Sequence, residues 1–193
     1  MPKVYLLSFF LLFVSTTFSQ QYAERYEQCS ESLKGLTLVD SVYLSKAIQR
    51  DSCMLGTPAP DFRAVSIDGK EIHLSDLKGQ VVMLNFWFTG CPPCVGEIPD
   101  FNKLVNKYSS KEVTFISFTY DSVSTVRKFF KKHPFKFIAV SDDRVRRDSF
   151  RLLSAWPYTI VIDKDGIIRS MFFGTLHNKT IPYYTKLLDK LLK

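Results

Sequence analysis

An apolar run that stops at two cysteines constrains this chain more than any other stretch. Asn85-Phe86-Trp87-Phe88-Thr89-Gly90-Cys91-Pro92-Pro93-Cys94 follows directly on Val81-Val82-Met83-Leu84. The run reads as a buried strand, and Val95, Ile98, Phe101, Leu104, Val105 and Tyr108 recur beyond it every three to four residues, as on a helix. Cys91 is therefore expected at a strand-to-helix turn, at or near the helix N-cap. There the unpaired N–H groups and the positive end of the helix dipole favour a thiolate, the nucleophilic form of the side chain. Pro92 suits the first helical turn, where its missing N–H is not needed. Two prolines in a row remove two donors and leave the Cys94 N–H as the partner for the sulfur. Cys94 falls on the same helical face and is expected to be the shielded, slower thiol. A redox pair is the favoured reading; a static disulfide and two of four zinc ligands are the alternatives.

With 193 residues the chain has room for one ordinary domain and an appendage. Residues 1–19 read as a secretory signal peptide: Lys3 is a short basic start, Val4 to Val14 an apolar core, and Thr17-Phe18-Ser19 a small-x-small cleavage site. The apolar core is short for a membrane span, although an uncleaved anchor stays open. Export, with the periplasm as the expected location, makes disulfides durable. Cys29 and Cys53 are accordingly a candidate structural pair, and the loop they would close is worth roughly 3.5 kcal/mol on the chain-entropy argument. Exchange of one of them with the Cys91/Cys94 pair is the alternative.

Residues 20–54 form an N-terminal extension in which Val39, Val42, Tyr43 and Ile48 hint at one helix. Residues 55–193 are expected to be the main domain. Pro58 and Pro60 enforce extended backbone at its start. Phe62 to Ile67, the Asp68-Gly69 turn and Lys70 to Leu74 predict a hairpin. After the cysteine helix come a strand at Val113 to Thr119, a helix from about Val123 to Lys132 capped by Asp121 or Ser122, and a strand at Phe137 to Val140. A basic helical segment from Asp143 to about Leu153 follows. Tyr158 to Asp163 and Ile167 to Phe173 make a second hairpin, and Ile181, Tyr184, Leu187, Leu188 and Leu191 an amphipathic last helix. The pattern is α/β, a central mixed β-sheet flanked by helices.

The order of these elements, Trp87…Cys91-Pro92-Pro93-Cys94, and Trp156-Pro157-Tyr158-Thr159 before a strand together resemble a thioredoxin-like fold. Gly56-x-x-Ala59-Pro60-Asp61-Phe62 narrows the resemblance to the redoxin branch of AhpC/TSA type, and within it to the exported TlpA/ResA-like thiol–disulfide oxidoreductases. The resemblance covers about residues 55–193. It implies that Cys91 is the attacking thiolate, that Cys94 resolves the mixed disulfide, and that Pro157 is a cis-proline across from the cysteines. It also implies a reductant of disulfide-containing or dithiol proteins, recharged by a membrane thiol carrier and serving cytochrome c maturation or general disulfide repair.

Glu97 stands where this branch commonly carries a glutamate near the site. One helical turn past Cys94, it is placed to exchange a proton with that thiol; a solvated first-turn acid is the plain alternative. Asn85 occupies the position of the buried aspartate of thioredoxins proper, which leaves more of the burden to Glu97. Gly90 departs from the tryptophan frequent before the first cysteine, so an aromatic wall for substrate must come from Trp87, Phe88 or Trp156. All three could equally be core, and for Trp87 that reading is favoured.

Thiol exchange needs no cofactor and no metal. Two rival functions fit less well. A thiol peroxidase of peroxiredoxin type needs threonine three residues before its cysteine, where Phe88 stands. A copper-delivery module spaces its cysteines differently, and His73, His133 and His177 show no ligand spacing. The net charge of +7 is spread over Arg127, Lys128, Lys131 and Lys132, then Arg144, Arg146, Arg147 and Arg151, then the C-terminal lysines. It suits a solvated surface, with weak contact to an anionic membrane surface or an acidic partner as the sharper reading. Nothing points to nucleic acid.

Overall fold

The structure is a computed structural model that describes residues 18–37, 39–153 and 155–193. Nearly all of the expected signal segment lies outside the described residues. Its last two positions, Phe18 and Ser19, lie in helix α1, described over residues 18–30. Among the described residues no helix is long and apolar enough to cross a membrane.

Strand β3, Val81–Phe86, is buried at every position. It sits mid-sheet, parallel to β4 (Val113–Phe118) on one side and antiparallel to β6 (Tyr158–Ile162) on the other. Strands β5 (Ile138–Val140) and β7 (Ile168–Phe173) complete the five-stranded order β5-β4-β3-β6-β7. Successive side chains of a strand point to opposite faces, so an unbroken apolar run requires a core on each. Val82, Leu84 and Phe86 enter one core with Phe62, Phe118, Phe150 and Tyr158. Val81, Met83 and Trp87 enter the other with Phe101, Leu104, Tyr184 and Leu188.

The second core is roofed by α3 (Pro92–Lys107) and α5 (Thr180–Leu191), which pack on each other, with Val126 of α4 (Val123–Phe130) entering it beside the aromatic residues that follow. The expected first hairpin is a small sheet of its own, β1 (Arg63–Val65) against β2 (Glu71–His73). Gly69 takes φ +85° in its turn, a backbone open to glycine at little cost. The hairpin reaches the main sheet where the Ile67 N–H donates to the Ala139 carbonyl at 2.8 Å. At the opposite edge the Gly56 N–H donates to the Ile168 carbonyl, and the Ile168 N–H to the Thr57 carbonyl.

Two expectations need correction. Helix α2 (Tyr43–Cys53) exists, but it is turned the other way: Leu44 and Ile48 are about half exposed, as is Val42 before it, while Ala47, Arg50 and Asp51 are buried. Arg50 is bound to Asp51 and donates to the Tyr158 hydroxyl at 3.1 Å, so a paired cation takes the place reserved for an apolar stripe. The basic helix expected from Asp143 to Leu153 is only a wide turn, Val145–Ser149. Arg146 folds inward there, pairing with Asp143 and donating to the Leu152 and Leu153 carbonyls, while Arg151 adopts φ +48°, outside any right-handed helix.

Residues 18–54 contribute to the same core as the sheet. Tyr22, Cys29 and Met54 are buried in it, and the Tyr22 hydroxyl donates to the Phe150 carbonyl at 2.7 Å. Cys29 and Cys53 are joined as a disulfide that ties α1 to α2.

Candidate active site at the strand-to-helix turn

The chain leaves β3 at Phe86, crosses Trp87 to Gly90, and enters α3 at Pro92. The crossing is anchored twice: the Trp87 N–H donates to the Phe118 carbonyl, and the Thr89 N–H to the Asp121 carboxylate at 2.6 Å. Asp121 thus braces the cysteine loop, and the N-cap of α4 falls to Ser122, whose hydroxyl accepts from the Thr125 N–H.

Cys91 is the N-cap of α3, in extended backbone, and its sulfur accepts from the Cys94 N–H at 3.3 Å. Pro92 and Pro93 occupy the two positions between, so Cys94 carries the first donor within reach. The two cysteines form a disulfide with Cα atoms 5.3 Å apart. Burial does not rank them as expected: Cys91 is 4% exposed and Cys94 3%. What sets Cys91 apart is its seat at the positive pole of a 16-residue helix.

Glu97 lies one turn further along α3 and is buried, at 6% exposure. One carboxyl oxygen accepts from the Thr180 hydroxyl at 3.2 Å and from the Leu176 N–H at 3.4 Å; the other has no hydrogen-bond partner. Burial pushes its pKa up to about 7 against the opposing pull of those two donors. Glu97 lines a cavity of about 260 Å³ with Pro93, Gly96, Asp100, Thr175 and His177. A buried carboxyl poised near neutrality, a turn away from a thiol, can give or take a proton at physiological pH. Asn85, by contrast, is neutral and spends its amide on the Thr159 hydroxyl at 3.1 Å.

The Trp156–Pro157 peptide is cis, and Pro157 leads into β6 beside β3. The AhpC/TSA family profile matches residues 55–171 of this sequence. The chain belongs to the AhpC/TSA family. Among its relatives, the thiol–disulfide oxidoreductase ResA of Bacillus cereus is 34% identical over 141 residues, which are 72% of this chain and 79% of that protein. The ResA of Bacillus subtilis is 33% identical over 156 residues, covering 80% and 84%. A solved thiol:disulfide interchange protein of the thioredoxin family from Chlorobium tepidum superposes with a TM-score of 0.61 at 25% identity, covering 70% of this chain and 96% of that one. This AhpC/TSA-family chain is a thiol–disulfide oxidoreductase of thioredoxin fold.

Of the three aromatic candidates for the site of this family member, Trp87 takes the core place favoured for it over the substrate wall. It is 1% exposed and held among Phe129, Phe130 and Phe135, so it offers no surface to a substrate. Phe88 and Trp156 are partly exposed and meet edge to face at 5.4 Å. A third ring, Tyr120, closes the set, 5.2 Å from Phe88 and 5.7 Å from Trp156. The Arg146 guanidinium lies 4.9 Å from the Trp156 ring centre and steadies that side of the cluster.

Sequence reasoning missed Tyr120, Asp121 in its bracing role, Arg146 and Thr180. Tyr120, Asp121 and Thr180 act on partners distant in the chain, and Arg146 reaches the Trp156 ring only because the turn folds it inward. The only local signal was Asp121, placed one residue too early to cap α4.

Proposed function

We propose that this oxidoreductase works outside the cytosol, as a reductant of disulfides in exported proteins. Reduced Cys91 attacks one sulfur of the partner's disulfide, the partner's other sulfur leaves as a thiolate, and a mixed disulfide forms. Glu97 as carboxylate takes the Cys94 proton. The Cys94 thiolate attacks the Cys91 sulfur, the partner's second thiolate leaves, and the Cys91–Cys94 bridge closes. A membrane thiol carrier then returns two electrons by the same steps in reverse. Cytochrome c maturation is one process with such a demand, and the family resemblance favours it.

The observation that carries the reading is the Cys91 sulfur capping α3, with a buried carboxyl on the same helix one turn past the partner thiol. Cys91 is so little exposed that a client must lay an extended segment against the loop, where Phe88, Trp156 and Tyr120 present their rings. Pro157 stands beside that approach by its likeness to the family's proline. Cys29 and Cys53 hold the structure and take no part in exchange.

A redox titration of the chain, with mixed disulfides trapped in a Cys94→Ala variant, tests the direction. A potential of about −270 mV supports a reductant and one near about −120 mV an oxidant. Turnover of peroxide faster than of protein disulfide would instead favour the peroxidase chemistry found elsewhere among redoxins.

A further inference from the structure

The donors that hold Glu97 come from outside its own helix. Thr180 is fully buried at the start of α5, and its hydroxyl oxygen lies 3.2 Å from Glu97 Oε1 and 2.9 Å from the His177 carbonyl oxygen. A hydroxyl has one proton to donate and lone pairs to accept with, so it cannot serve both acceptors at once. With Glu97 ionised, the Thr180 proton points to the carboxylate. With Glu97 protonated, the carboxyl can donate to Thr180 Oγ1 while the Thr180 proton turns to the His177 carbonyl. Both arrangements satisfy the hydroxyl, and passing between them takes only rotation about one C–O bond.

We propose that Thr180 is a positioning residue of the redox site, its hydroxyl orienting the Glu97 carboxyl and serving both of that group's protonation states by rotating between Glu97 and the His177 carbonyl. The inference rests on the reading of Glu97 as the group that exchanges a proton with Cys94. Four other groups face this carboxyl or share its surroundings. Asp100, on the same helix, raises its proton affinity. Tyr184 on α5 adds a phenol that burial keeps neutral. The His177 side chain lines the same cavity, and Cys94 lies one turn back along α3. None of the four is hydrogen-bonded to Glu97, whose carboxyl depends on Thr180 and the Leu176 N–H.

The test is a carboxyl-carbon NMR titration of Glu97 in the oxidised full chain, compared with Thr180→Val and Thr180→Ser. The bond to the ionised form is charge-assisted and the stronger of the two, so its loss should raise the Thr180→Val midpoint by about one pH unit. Thr180→Ser, which keeps the hydroxyl, should restore it. An unmoved midpoint in folded Thr180→Val overturns the proposal; if that variant does not fold, Thr180→Ala is titrated and judged in the same way. The pH profile of mixed-disulfide resolution should follow the shift. Should Glu97→Gln leave that profile unchanged, the proton-exchange reading falls by itself, because the NMR midpoint still judges Thr180.

Discussion

The molecule holds two disulfides, and chemically they are the same bond. Cys29 and Cys53 are 24 positions apart and Cys91 and Cys94 only 3. Exposure does not mark the exchangeable pair, since Cys91 and Cys94 are 4% and 3% exposed while Cys29 is 7% exposed and Cys53 only partly buried. Their places on helices do. Cys29 lies in the last turn of α1 and Cys53 is the last residue of α2, where the backbone presents carbonyl oxygens and disfavours a thiolate. Cys91 caps the opposite pole of α3 and accepts a backbone N–H. A sulfur becomes a leaving group or a nucleophile according to the backbone beneath it, and here one chain has set one pair at each pole.

Four experiments break or sharpen that contrast. Cys91→Ser should lower disulfide reduction on the order of a thousandfold or more, since it removes the nucleophile; insulin-type turnover at the unmodified rate would end the argument for Cys91. The Cys29→Ala/Cys53→Ala pair should lose about 3.5 kcal/mol of unfolding free energy, measured by urea titration, while keeping kcat/KM at temperatures where the protein stays folded. A large loss of turnover in that folded variant would mean that both bridges take part in exchange.

The third concerns pH. Glu97 holds its proton more tightly when folded, at about 7 against an ordinary 4.5, so between those values the native state binds more protons than the unfolded one. Its contribution is complete below pH 4.5 and is lost as pH rises towards 7, by at most about 3 kcal/mol. Glu97→Gln, permanently neutral, should flatten that slope in chemical denaturation followed from pH 4 to 8. The smallest effect is expected from Tyr120→Ala. Removing an exposed ring from the Phe88–Trp156 cluster should raise KM for a protein disulfide by about fivefold, with kcat unchanged. An unchanged KM would take the aromatic cluster out of client binding.

Much of the sheet was legible because β3 is apolar at almost every position, and only a central strand between two cores demands that. The cysteine turn was legible for a local reason, the spacing of Cys91, Pro92, Pro93 and Cys94 on a predicted helix start. The rest depended on contacts that no local pattern encodes. Helix α2 misled because Arg50 is buried against Asp51 and Tyr158, a partner 108 positions away, so its polar side faces inward. The segment after Asp143 misled because Arg146 donates to carbonyls beyond the turn, which a helical reading had kept for the helix. Trp87 was favoured as core from the sequence, but the rings that cover it, Phe129, Phe130 and Phe135, lie more than 40 positions on and no local pattern names them. Thr180 reads as an ordinary residue before a helix, and only the fold brings it to Glu97, 83 positions earlier.

The backbone bonds from Gly56, Thr57 and Ile67 to the two outermost strands bear on how visitors reach this protein. Ile67 has claimed the Ala139 carbonyl on one flank, and Ile168 has committed both its amide and its carbonyl on the other. An unfolded polypeptide searching for a ribbon to join finds those seats taken by the host's own chain. At those positions strand addition is closed off by the protein's own backbone.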